Sequence, residues 1–75
     1  MNEKIMGLIE LAMKFKSEIA ANVDFGSHTN GVTVWIFEDG EVTYRKVCYL
    51  EYVDAGERLD RMKKDLEEML KAKAA

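Results

Sequence analysis

Seventy-five residues with 14 acidic and 11 basic side chains, a net charge of −3, one cysteine and one histidine read as a single domain (residues 1–75) and exclude an internal disulfide and a four-ligand His/Cys zinc site. The acidic balance speaks against a general nucleic-acid binder, which neutralises phosphates with Lys and Arg. A chain this short buries only about 60% of its unfolded surface, so with no staple or metal to draw on, a partner subunit is the expected source of added stability.

The first element is a helix expected over about Glu3–Ala20, with Asn2 as N-cap. Ile5, Leu8, Ile9, Ala12, Phe15, Lys16 and Ile19 recur at three- and four-residue spacings and stack on one face. Met6, Met13 and Ala20 widen that stripe, so the Met6/Met13 edge is a candidate contact with another subunit.

Two turn signals organise the middle of the chain. Asn30-Gly31 and Asp39-Gly40 are both pairs that tolerate positive φ, as a two-residue type I′ hairpin turn requires, and β-branched and aromatic runs flank each. Strands over Asn22–Thr29, Val32–Glu38 and Glu41–Leu50 follow, as an antiparallel meander. Two-residue loops then set the register. They put Val23, Phe25, Val32, Val34, Ile36, Thr43 and Val47 on one, aliphatic face. Asp24, Gly26, His28, Thr33, Trp35, Phe37, Val42, Tyr44, Lys46 and Cys48 fall on the other, with Trp35 between Gly26 and Tyr44 and Phe37 beside Val42. A bulge in the long third strand would swap part of this assignment.

The last helix starts at Asp54, an N-cap with Glu57 at capping-box spacing. Leu59, Met62, Leu66, Met69 and Leu70 form its apolar seam. Glu57/Arg61, Asp60/Lys64 and Glu67/Lys71 are i,i+4 pairs in the favoured order. The expected fold is α+β, α-β-β-β-α, with both helices packed on the aliphatic face of the three-stranded antiparallel sheet.

No cluster rises to a catalytic or metal-binding signature, and no cofactor is expected. Ser27 and His28, adjacent in a strand, would point to opposite faces, and Asp24 would lie two pleats from His28, so no Ser/His/Asp line forms. Cys48 reads as a buried, inert thiol, and no phosphate-binding glycine loop is present. Met1 to Ile5 carries no basic stretch leading into an apolar run, and no segment approaches the roughly 18 apolar residues of a membrane span. With a single unpaired thiol, a cytoplasmic protein without membrane attachment is expected.

The order α-β-β-β-α resembles the double-stranded-RNA-binding domain, which implies phosphate contacts from a Lys-rich start of the last helix. Here that stretch is Asp54-Ala55-Gly56-Glu57-Arg58-Leu59-Asp60, which presents acids, so the topology is similar without the RNA-binding chemistry. Gly26-Ser27-His28 at the end of the first strand also resembles HicA-type toxins. That likeness implies an mRNA-cleaving activity with His28 as base, although Asn22, Val23 and Asp24 stand where that family carries basic residues.

Two helices can cover only one side of the sheet, so Trp35, Phe37, Val42 and Tyr44 are expected to share an exposed patch of the kind that marks binding surfaces. The leading expectation is a non-enzymatic, homo-oligomeric interaction or accessory protein, most simply a two-fold dimer, contacting through Trp35, Phe37, Val42, Tyr44, Met6 and Met13. Small size and plainness point to a phage- or mobile-element-encoded factor. The alternatives are the RNA-cleaving toxin using His28 and a small-ligand or regulatory module using Trp35 and Tyr44.

Overall fold

The computed structural model describes residues 2–15 and 19–74. Its elements run α1 (Asn2–Ala12), β1 (Ile19–Gly26), β2 (Gly31–Glu38), β3 (Glu41–Tyr49) and α2 (Ala55–Ala74), and the strands form one antiparallel sheet in the order β1-β2-β3. This is the α-β-β-β-α, α+β architecture expected. Ile19, Val32, Val34, Ile36 and Cys48 form one buried cluster with Leu8 and Leu11 of α1 and Ala55, Leu59, Met62 and Leu66 of α2, so both helices lie on the same side of the sheet. The helices also touch each other, and Lys4 Nζ donates to both carboxylate oxygens of Asp60 at 2.8 and 2.7 Å across that contact. Among the described residues no helix is long and apolar enough to cross a membrane.

Three local outcomes depart from the sequence reading, and each has a physical cause. First, α1 stops at Ala12 instead of reaching Ala20. The Lys14 and Phe15 N–H groups donate to the Leu11 and Ala12 carbonyls, closing tight turns, while Ile19 and Ala20 pair with Glu38 and Phe37 of β2. Ile19 satisfies a helical spacing and a buried strand position equally well, and pairing with β2 decides the outcome. Lys16 lies outside the described residues.

Second, the β1–β2 hairpin closes through a four-residue loop, Ser27–Asn30, not through an Asn30-Gly31 turn. Asn30 does take the left-handed conformation (φ 54°), but Gly31 is the first residue of β2 and pairs with Gly26. Gly31 is needed for another reason. A Cβ there would lie 3.0 Å from the Tyr49 ring, which rests across the glycine from β3. The longer loop moves the β1 partner of Trp35 from Gly26 to Asn22, a slip of four residues. Side chains alternate with period two, so an even slip leaves both faces unchanged.

Third, β3 carries a bulge. The Asp39-Gly40 turn forms as expected, with φ values of 53° and 82°, and Glu38↔Glu41 and Phe37↔Val42 follow in register. The next pair is Ile36↔Tyr44, so Thr43 has no partner and the register shifts by one. An odd slip inverts every later side chain. Tyr44, Lys46 and Cys48 therefore stand on the helix-covered face, while Arg45 and Val47 pair with Trp35 and Thr33 on the open one. The shift places Cys48 opposite Val32 beneath the helices, where it is completely buried.

Deleting Thr43 removes only the unpaired residue and keeps every face, so it is expected to cost no more than about 1 kcal/mol by urea denaturation. A deletant that does not fold would show that the extra twist of the bulge, and not merely its register, is required.

In α2, Asp54 immediately precedes the helix, but its carboxylate accepts from Arg58 Nε at 2.9 Å. Glu57/Arg61, Asp60/Lys64 and Glu67/Lys71 do not form ion pairs among the described residues, and Asp60 instead serves Lys4. Exposed pairs contribute only about 0–1 kcal/mol, too little to hold long side chains in one rotamer.

Candidate interaction surface

The side of the sheet away from the helices is built of three cross-strand rows. Ala20, Phe37 and Val42 form the first, Asn22, Trp35 and Arg45 the second, and Asp24, Thr33 and Val47 the third. No described helix packs over these rows. Trp35 and Phe37 are half-buried, and Val42 is 51% exposed. Trp35 and Phe37 stand on the central strand and Val42 and Val47 on β3, while the charges of these rows, Asp24 on β1 and Arg45 on β3, lie on opposite edges. Trp35, Phe37 and Val42 thus share one surface, as the alternation of β2 requires.

Tyr44 does not belong to this surface. It packs against the core on the opposite face, and its hydroxyl donates to Asp65 Oδ2 of α2 at 2.9 Å. Burial, then the hydrogen bond to Asp65 and that carboxylate's charge, push the Tyr44 hydroxyl well above the ordinary tyrosine range. A proton held more tightly in the folded chain contributes stability that is complete below the unfolded tyrosine value of about 10 and falls as pH rises above it. Tyr44→Phe is therefore expected to cost about 1 kcal/mol near neutrality. It should also narrow its deficit against the parent above pH ~10 in paired urea titrations; a constant deficit would mean that the hydroxyl carries no linked proton.

Met6 and Met13, the other contact candidates, are 54% and 75% exposed on α1. Beside Met6, a groove of about 440 Å³ is lined by Asn2, Ile5, Phe25, Asn30 and Leu50. Phe25, read from sequence as part of the aliphatic bed, lies beside the start of α1 in that groove and is 47% exposed. A second cluster that sequence reasoning missed follows β3. Tyr49 and Tyr52 stack edge to face at 5.7 Å, and the Arg58 guanidinium lies 4.4 Å over the Tyr52 ring. The signal was present in Tyr49-x-x-Tyr52, but no periodicity links residues across a turn.

His28 is exposed within the Ser27–Asn30 loop, so its separation from Ser27 does not come from strand alternation as expected. The side-chain hydrogen bond of that loop is Thr29 Oγ1 donating to the Gly26 carbonyl at 3.3 Å. The Cys48 sulfur is enclosed near the Ala55 and Tyr49 carbonyls, at 3.7 and 3.9 Å. Burial raises its thiol above the usual value, opposed by Arg58 and reinforced by Asp54. Among the described residues no group of three or more His, Cys, Asp or Glu side chains is placed to hold a metal ion. No protein-family model matches the chain, and neither a curated protein nor a solved structure matches it.

Proposed function

We propose that this chain is a non-enzymatic interaction domain that associates with itself through the open face of its sheet. The observation that carries the reading is Trp35, half-buried in the centre of a helix-free face with Phe37 and Val42 beside it. Large aromatic side chains at the centre of a largely apolar face are the residues that dominate association energies. The disposition of charge favours a second copy as the occupant. A two-fold axis along the strands sets β1 of one subunit over β3 of the other, which brings Asn22 over Arg45 and Asp24 one row away from it. Acid and base on opposite edges thus become complementary across the axis. Small size supplies the motive, since one small core, with eleven buried residues among those described, must otherwise stabilise the domain alone.

A cytoplasmic, accessory role for a phage or mobile element is part of the same proposal. Sedimentation velocity from about 1 to 100 μM tests it. A rise in mass with concentration is expected for an interface of roughly standard character. A strict monomer across that range would remove self-association as the function.

A further inference from the structure

Strand β1 offers a second contact, distinct from the open face. Among the described residues it is hydrogen-bonded on one side only, and its eight residues, Ile19–Gly26, pair with β2 without any bulge. Exposed edges are normally blunted by lysine, proline or a bulge, because a row of free N–H and C=O groups recruits other strands. The opposite edge is guarded in that way, with the Thr43 bulge and the adjacent Arg45 and Lys46 on β3. β1 has none of these devices, and its single charge is Asp24.

The two-residue turn fixes which amides are free. Glu38↔Glu41 closes a type I′ hairpin and is a hydrogen-bonded pair, so Glu38 directs its main chain to β3, and Phe37 directs its own to β1. By alternation, Ile19, Ala21, Val23 and Phe25 present their N–H and C=O groups outward from the edge.

We infer that β1 pairs antiparallel with β1 of a second copy about a two-fold axis at Asn22, joining two sheets into one of six strands. This shares with the reading above only the premise that the chain associates with itself. In that register the outward-facing residues meet one another: Ile19 lies opposite the partner's Phe25, and Ala21 opposite the partner's Val23. Asp24 lies opposite the partner's Ala20, so no like charges meet, and the small alanines leave room for the approach.

The helix side is self-complementary too. α1 packs on β1 and begins in the groove it shares with Phe25, so Met13, two turns beyond Met6, lies roughly 10 Å further toward the Ile19 end. The axis that sets Ile19 beside the partner's Phe25 therefore carries Met13 toward the partner's Met6. Three of the largest exposed apolar side chains, Met6, Met13 and Phe25, are covered by one operation.

An engineered thiol distinguishes this edge from the open face. At the axis, two copies of residue 22 form a non-hydrogen-bonded pair with Cα atoms about 4.5 Å apart, within disulfide reach. Stacked sheets stand about 10 Å apart, beyond it. Under mild oxidation Asn22→Cys, at the edge, is expected to give at least about tenfold more covalent dimer than Thr33→Cys, whose thiol lies on the same face but on the central strand. The native Cys48, buried, gives none in the parent. Equal crosslinking of the two variants overturns the edge pairing. Crosslinking that survives Trp35→Ala retains the edge while removing the open face as the site of association. Association lost in Trp35→Ala, with no excess crosslinking at residue 22, does the reverse.

Discussion

Replacing Leu66 with Ala is expected to bring this domain to the limit of folding. Leu66 is completely buried on α2, in the cluster that joins both helices to Val32, Val34 and Ile36. At roughly 0.05–0.15 kcal/mol per residue, a chain of this length has a total stability of about 4–11 kcal/mol. Truncating a buried leucine removes about 2–5 kcal/mol, the loss growing with the cavity that remains. Here the site cannot collapse easily, because the sheet beneath is held by two hairpins and α1 is fixed alongside by Leu8 and Leu11. Urea denaturation followed by far-ultraviolet circular dichroism checks the expectation. Met13→Ala serves as reference, because a side chain 75% exposed should move the monomer's midpoint by less than about 0.5 kcal/mol. Equal midpoints for the two variants would show that α2 is not seated as described.

What the amino-acid pattern revealed and what it concealed divide along physical lines. The α2 seam was legible because Leu59, Met62 and Leu66 repeat with a period that only a helix satisfies, and the Asp39-Gly40 turn because few pairs accept two positive φ values. The helix-covered face of β1 and β2 survived a mistaken loop, since a four-residue slip preserves alternation. A bulge in the third strand could be allowed for, but its place at Thr43 could not be read. It costs one residue of register, and its reward is tertiary: Cys48 is enclosed beneath Ala55, and Tyr44 reaches Asp65 on a helix 21 positions later in the chain. No local propensity encodes such a gain. The same bulge explains why Trp35, Phe37 and Val42 were correctly grouped while Tyr44 was not. The first three precede the shift or lie on β2; Tyr44 follows it. The exposure of Phe25 escaped notice because alternation reports which face a residue occupies, not how closely the helix on that face packs over it.

Loss of the Trp35 indole should abolish contact through the open face while leaving the fold intact. A central aromatic anchor contributes about 2 kcal/mol or more to association. In an isologous dimer each substitution occurs twice, so Trp35→Ala removes about 4 kcal/mol and weakens the dimer roughly a thousandfold. Exposure bears on the cost to the monomer: Trp35 is only half-buried, flanked by Asn22 and Arg45, so truncation opens no cavity in the core beneath the helices. The predicted signature is a large change in dissociation constant by sedimentation with an unchanged circular dichroism spectrum. Arg45→Asp should act in the same direction but more weakly, since it replaces an edge attraction to Asp24 and Asn22 of the partner by repulsion. Combining it with Asp24→Arg should restore association, because the two-fold axis exchanges the edges. Recovery in the double variant would tie the effect to charge pairing across the axis; dimer affinity insensitive to both Trp35 and the charge pair would place association elsewhere on the molecule.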